Sequence, residues 1–241
     1  MVVEDEALSR LYLTNLLTQH SDIVSLVASV STEDEAAEAI SLHRPHLLLL
    51  DIELQQGSGF AVLNRIDGQD PYIVFTTAFD DRVLNAIRFS GTEFLQKPID
   101  MEALAGLLGR LSVAGVMPVQ PSLFYLRETL ANNYQPVHIA VSTSAGIIYL
   151  RITDIIRMEA IDQSTLRCVV KDRPPLVIQA NMNEMAMLMG TVNFYRVHLA
   201  HLVNLSMIET IGHGSVRMIN QEVIPLSPKK EQQVRDLLAN L

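Results

Sequence analysis

LLLLDIELQQGSGF, residues 47–60, runs four leucines straight into an aspartate and then toward two glycines. An ionised carboxylate is costly to bury without a partner. Asp51 therefore either caps a strand harmlessly in solvent or stands at the strand end because chemistry happens there. The run HLLLL (46–50) carries no alternation of polar and apolar residues. That pattern belongs to a strand covered on both faces, as in a parallel sheet flanked by helices.

The flanking sequence supports the same architecture. VV (2–3) precedes a helical period from Ala7 to about Gln19, with Leu8, Leu11, Tyr12, Leu16 and Leu17 read onto one face. IVSLVAS (23–29) reads as a strand, and STEDEAAEAISLH (31–43) opens like a helix, with hydroxyls and acids in its first turn. Beyond Asp51, a short helix at 59–66 leads to the strand YIVFTTA (72–78) and the helix DDRVLNAIRFS (80–90). The strand TEFLQ (92–96) and the helix DMEALAGLLGRLS (100–112) follow. Five βα units imply an α/β doubly wound five-stranded parallel sheet, with its sites beyond the C-terminal ends of the strands.

Four of the strand ends carry polar groups: Glu4 and Asp5 after the first, Asp51 after the third, Thr77 after the fourth, Lys97 after the fifth. Three carboxylates at one crevice repel one another unless a cation offsets them, and an all-oxygen set suits Mg²⁺. The ammonium of Lys97 and the hydroxyl of Thr77 are then placed to hold the oxygens of a phosphoryl group on Asp51. Taken singly, each residue is ordinary; their joint placement is what points to phosphoryl chemistry.

On these residues, positions 1–112 resemble the receiver domain of bacterial two-component response regulators, a flavodoxin-like fold. The resemblance makes Asp51 the phosphoacceptor and Asp5 a direct metal ligand beside Glu4, with Glu53 lending its backbone carbonyl to the Mg²⁺. It matches Gly59 to the family glycine eight positions after the acceptor. Thr77–Ala78 match the Ser/Thr-Ala pair, Lys97–Pro98 a Lys-Pro pair whose peptide is typically cis, and Phe94, with Thr77, the switch pair. It implies phosphoryl acceptance from a sensor histidine kinase, slow self-hydrolysis, and no enzymatic turnover of another substrate. The chain departs from the family pattern in three places. Only Met1–Val3 precede the acids, so the first strand is short. Gln55–Gln56 stand where many receivers have proline, and Phe94 lacks the commoner tyrosine hydroxyl.

Residues 113–135 carry two of the ten prolines, with a third at Pro136, and a plausible helix at 122–131, and are read as a partly ordered linker. Residues 136–241 read as mostly β, with one helix at 182–190 and a final helix from about 229. The methionines at 182, 185, 187 and 189 suit core filling better than metal binding. In FYRVHLAHLVNLSMIETI (194–211), His198 and Asn204 can be read equally as groups that pin a turn. No convincing metal spacing joins His198, His201 and His213 to carboxylates.

The same stretch resembles the LytTR-type DNA-binding domain, through Phe194, Arg196, His198, Val203, Asn204 and Ile208. DII and EA within 154–160 and PLS at 225–227 fit as well. The resemblance implies a C-terminal mostly-β domain that binds double-stranded DNA by its loops, and homodimerisation through the receiver. Departures fall on the contact positions: Leu199 and Ala200 follow the signature histidine, Pro228 follows the PLS serine, and the loop 162–165 has no basic residue. Leucine donates no hydrogen bond, though it can meet a thymine methyl. The surviving DNA-contact candidates are Gln163, Thr165, His198, Lys229 and Lys230. Loss of that surface would leave a phospho-receiver joined to a protein-interaction module. A dehalogenase-type phosphatase also uses a strand-end aspartate but needs a second aspartate two residues on, where this chain has Glu53.

Composition is consistent with these readings. The 241 residues include one cysteine, Cys168, which permits no intrachain disulfide. No apolar run approaches the roughly 20 residues needed to cross a bilayer, and no export signal is present, so a cytoplasmic protein is expected. The net charge of −9 is uneven. Residues 1–110 hold 17 acidic and 7 basic side chains, whereas 136–241 hold 9 and 10. The first part repels nucleic acid; the second does not.

Overall fold

The computed structural model describes residues 1–66, 71–78, 81–113 and 123–239, in two compact units. The first unit alternates strand and helix: β1 (Val2–Val3), α1 (Ala7–Gln19), β2 (Ser29–Val30), α2 (Glu33–His43), β3 (Leu47–Asp51) and α3 (Gly59–Arg65). It continues with β4 (Tyr72–Thr77), α4 (Asp81–Ser90), β5 (Glu93–Gln96) and α5 (Met101–Val113). All sheet pairings are parallel, in the order β2-β1-β3-β4-β5. The apolar run of β3 is explained by this order, because β3 is the middle strand. Leu49 and Val74 face a core shared with Leu13, Leu16 and Leu17 of α1 and Leu104, Leu107 and Leu108 of α5. Leu48, Leu50 and Phe75 are equally buried, and Phe60 of α3 lies against Phe75 with ring centroids 5.2 Å apart.

Two expectations are corrected. The strand read at 23–29 contracts to Ser29–Val30. As the edge strand, β2 pairs with β1 alone, and β1 offers only Val2 and Val3; the Ala28 carbonyl accepts from the Val2 amide at 3.0 Å, and residues 24–27 have no ladder to join. On α1 the buried side chains are Leu13, Leu16 and Leu17, whereas Leu8 is 75% exposed and Leu11 and Tyr12 are also exposed. Leucines occupy more than one face of this helix, so periodicity alone does not choose the buried one. α2 starts where expected: Thr32 accepts from the Glu35 amide at 3.2 Å, while Glu35 accepts in return from the Ser31 amide at 2.9 Å.

The second unit begins with α6 (Leu123–Ala131), whose Tyr125 stacks on Tyr149 at 4.0 Å and whose Glu128 pairs with His138 at 2.7 Å. Of the residues read as a linker, 114–122 lie outside the described residues. The strands β6 (His138–Thr143) and β7 (Gly146–Arg151) form a hairpin. β8 (Ile155–Ala160), β9 (Thr165–Val170), β10 (Leu176–Gln179), α7 (Met182–Met189), β11 (Phe194–His198) and β12 (His201–Asn204) follow. β13 (Ile208–Gly212), β14 (Ser215–Met218), β15 (Val223–Pro225) and α8 (Glu231–Ala239) complete the chain. An antiparallel sheet in the order β10-β9-β8-β12-β11 packs on both faces. One core joins it to β6, β7 and α7 through Ile139, Leu150, Met158, Leu166, Cys168 and Phe194. The other joins it to the β13–β15 sheet and α8 through Ile156, Val169, Val197, Val216 and Val234. Met182, Met185 and Met189 fill the first core, while Met187 points outward.

Candidate functional site

At the C-terminal end of the parallel sheet, the chain leaves each strand on a group that the strand itself fixes. Asp51 is the last residue of β3 and only 3% exposed. Its Oδ2 accepts from the Lys97 ammonium at 2.6 Å and its Oδ1 from the Glu53 amide at 3.1 Å. The same ammonium lies 2.7 Å from Glu4 Oε2. Lys97 follows β5 and donates its own amide to the Thr77 carbonyl at 2.8 Å, which ties the ends of β4 and β5 together. The Lys97–Pro98 peptide is cis. Thr77 is fully buried at the end of β4, and Phe94 is half-buried in β5 beside Phe75.

Glu4, Asp5 and Asp51 bring carboxylate oxygens within 4.8 Å of one another, an arrangement that could hold a metal ion. Burial first, with the Asp51 charge adding to it and Lys97 opposing, pushes the Glu4 carboxyl from 4.5 up to about 7. A divalent cation would relieve that crowding, so the donor set fits Mg²⁺. Asp5 is also engaged, accepting from the Gln55 amide at 2.8 Å. The Glu53 side chain is exposed and stands apart from the cluster; its backbone contacts Asp51. Burial lowers the Lys97 pKa, but hydrogen bonds to Asp51 and Glu4 outweigh it, and the net shift is upward.

Gly59 closes the site from behind. A Cβ there would meet the Asp51 carbonyl oxygen at 2.1 Å, so the close approach of α3 to the end of β3 requires glycine. The hydroxyl of Ser58 caps α3, accepting from the Ala61 amide at 3.1 Å.

In the second unit, three segments meet at one end of the five-stranded sheet. The β8–β9 turn carries Gln163 and leads to Thr165 at the start of β9. It neighbours the β11–β12 turn through the Ala160 amide, which donates to the Ala200 carbonyl at 2.9 Å. The corner 227–230 returns to β11, where the Ser227 amide donates to the Val197 carbonyl at 3.0 Å. Gln163 and Lys229 are exposed and Thr165 and His198 half-buried, whereas Lys230 is turned inward. The Lys230 ammonium donates to the Arg196 carbonyl and lies 5.3 Å from the Tyr195 ring centroid; burial, then the Arg196 charge, lowers its pKa. His198 accepts from the Ala200 amide at 3.3 Å, and Asn204 bridges the Ile155 carbonyl and the Ser206 amide. Both therefore pin backbone.

Sequence reasoning had no contact role for Arg196 or Asn183. Arg196 donates to the Leu199 carbonyl through Nε at 3.1 Å and through Nη2, and to Asn183 Oδ1 at 2.6 Å. This fixes the turn and leaves Leu199 80% exposed at its tip.

Comparison with known proteins bears on both halves of the chain. The family model of the response regulator receiver domain matches residues 1–108, and that of the LytTr DNA-binding domain matches residues 145–239. The sensory transduction protein LytT of Enterococcus faecalis is 25% identical over 245 residues, covering 99% of this chain and 98% of its own. The transcriptional regulatory protein BtsR of Escherichia coli K12 is 25% identical over 253 residues, with the same coverage of both chains. The BtsR of Salmonella typhi is 36% identical over 112 residues, 46% of each chain.

Proposed function

Since the chain belongs to the response regulators in which a receiver domain precedes a LytTr DNA-binding domain, we propose that Asp51 accepts a phosphoryl group from a sensor histidine kinase and thereby promotes dimerisation and promoter binding. An Asp51 oxygen attacks the phosphorus, the bond to the kinase imidazole breaks, and the imidazole leaves with the bonding pair. Lys97, already 2.6 Å from Asp51, keeps its ammonium against the incoming phosphoryl oxygens. The Thr77 hydroxyl takes another of them, and this contact moves with Phe94 as the switch. Mg²⁺, held by Asp5, Asp51 and the Glu53 carbonyl beside Glu4, would offset charge on the transferred group. Chemistry is confined to the protein's own carboxylate, in the cytoplasm, where the kinase domain and DNA are both accessible.

The observation that carries this reading is the convergence of Glu4, Asp5, Asp51 and Lys97 from the C-terminal ends of β1, β3 and β5. The test is exposure to a small phosphoryl donor with and without Mg²⁺, followed by intact-mass measurement. One phosphoryl group should be added only with Mg²⁺ and not in Asp51→Asn. Undiminished labelling of that variant would overturn the assignment.

For the second unit we propose double-stranded DNA as partner, contacted by Gln163, Thr165, His198 and Lys229, with Lys230 supporting the loop. A second reading, a protein-docking module, is favoured by one observation: the tip between β11 and β12 presents the exposed Leu199 where a donor would serve DNA better. Selection from random duplexes distinguishes the two.

A further inference from the structure

Arg10 sits near the start of α1 with its guanidinium turned back over the loop that carries the acidic pair. Its Nη1 donates to the Glu4 carbonyl at 2.6 Å and to the Asp5 carbonyl at 3.1 Å. These are the backbone oxygens of two of the three residues whose carboxylates converge. From the other side the loop is held by its own side chains. Asp5 Oδ2 accepts from the Gln55 amide at 2.8 Å, and Glu4 Oε1 accepts from the Glu6 amide at 3.3 Å. The loop is thus fastened at its carbonyls by one arginine and at its carboxylates by neighbouring amides.

We propose that Arg10 is a positioning residue for the divalent-cation site: it holds the Glu4–Asp5 backbone so that both carboxylates face Asp51 before a cation arrives. This rests on the reading of the acidic cluster as a Mg²⁺ site. A guanidinium is no ligand, and its positive charge disfavours a nearby cation, so geometry and charge act in opposite directions here. The charge effect is blunted by solvent and salt around a partly exposed side chain. Freeing the backbone of two ligand-bearing residues is the larger effect, because ordering them again must accompany every binding event.

The experiment is calorimetric titration of Mg²⁺ into the metal-free full-length chain, for the natural protein and for Arg10→Ala, Arg10→Gln and Asp5→Asn. The expected result is Mg²⁺ binding roughly tenfold weaker in Arg10→Ala, at the low end of what loss of a ligand-supporting contact produces. Arg10→Gln, which keeps a donor but not the charge, should recover most of the affinity. Amide hydrogen exchange at Glu6 and Gln55 in the metal-free state should quicken in Arg10→Ala and not in Arg10→Gln. Unchanged or tighter binding by Arg10→Ala, or an Arg10→Gln protein as weak as a poorly folded Arg10→Ala, would overturn the proposal. Failure of the site reading itself looks different: the natural protein would bind no Mg²⁺, or Asp5→Asn would bind it equally well.

Discussion

The Lys97 ammonium lies 2.6 Å from Asp51 Oδ2, and this contact is what allows a strand of leucines to end on a buried carboxylate. The ammonium is shared with Glu4, so one cation offsets two anions. Removing it leaves both without their counter-charge. Lys97→Met should lower the unfolding free energy of the metal-free protein by about 3 kcal/mol, the range for breaking a buried pair by deleting one partner. Urea unfolding with and without Mg²⁺ measures it, and Mg²⁺ should restore part of the loss. An unchanged midpoint would mean that Lys97 is not the counter-charge.

Glu4 gives the opposite sign. Its folded pKa, near 7, stands above the ordinary 4.5, so the folded state favours the neutral acid. Metal-free stability from this group is therefore fully present below about pH 4.5 and declines as pH rises toward 7. Glu4→Gln should raise the urea midpoint above pH 7, by roughly 1–3 kcal/mol in unfolding free energy, while weakening Mg²⁺ binding. A variant less stable than the natural protein at high pH contradicts this.

Gly59→Ala places a methyl 2.1 Å from the Asp51 carbonyl oxygen. Relief requires the end of β3 or the start of α3 to shift. The expected loss is about 1–3 kcal/mol, the usual range for overpacking, with slower phosphoryl acceptance because the acceptor backbone moves. A thermal melt and a labelling time course together test both.

In the second unit the nearly buried Arg157 donates to both oxygens of Glu222, at 2.7 and 3.1 Å, and to Glu159 at 3.1 Å. This clamps β8 to the turn between β14 and β15. The pairing with Arg157 lowers the Glu222 pKa. Stability from Glu222 is therefore present above its ordinary 4.5 and lost as pH falls through the lowered value. Glu222→Gln should destabilise the protein at neutral pH and flatten the acid limb of its stability curve. An acid limb as steep as that of the natural protein would show that Glu222 does not carry this dependence.

Lys229 and Lys230 are neighbours in sequence with different predicted effects. Lys229 is exposed, whereas Lys230 is held by the Arg196 carbonyl. If the second unit contacts phosphates, Lys229→Ala should weaken duplex binding and reduce the salt slope by about 1. Lys230→Ala should lower affinity through the loop while leaving that slope nearly unchanged. Equal slope changes would place both ammonium groups on phosphate.

The parallel sheet was legible because β3 is apolar without alternation and because polar residues recur at strand ends. The helix face of α1 was not, since its leucines populate more than one side and only the tertiary contacts select Leu13, Leu16 and Leu17. The contraction of β2 was hidden for a similar reason: its ladder is set by the short β1 beside it, not by its own composition. At the site, residue types and spacing announced Asp51, Lys97 and the acidic pair. The brace from Arg10 acts through backbone carbonyls, which leave no trace in residue type. The same holds for Arg196 and Lys230, whose charges face carbonyl oxygens of the protein itself.

The central claim is that modification of Asp51 gates DNA binding, and the most direct test is selection from a library of random duplexes. The protein treated with a phosphoryl analogue is compared with untreated protein and with Asp51→Asn. Enrichment of one repeated motif by the treated natural protein, absent from both controls, is the predicted result. Treated protein that dimerises yet enriches no sequence would contradict the claim and make the exposed Leu199 turn the place to seek a protein partner.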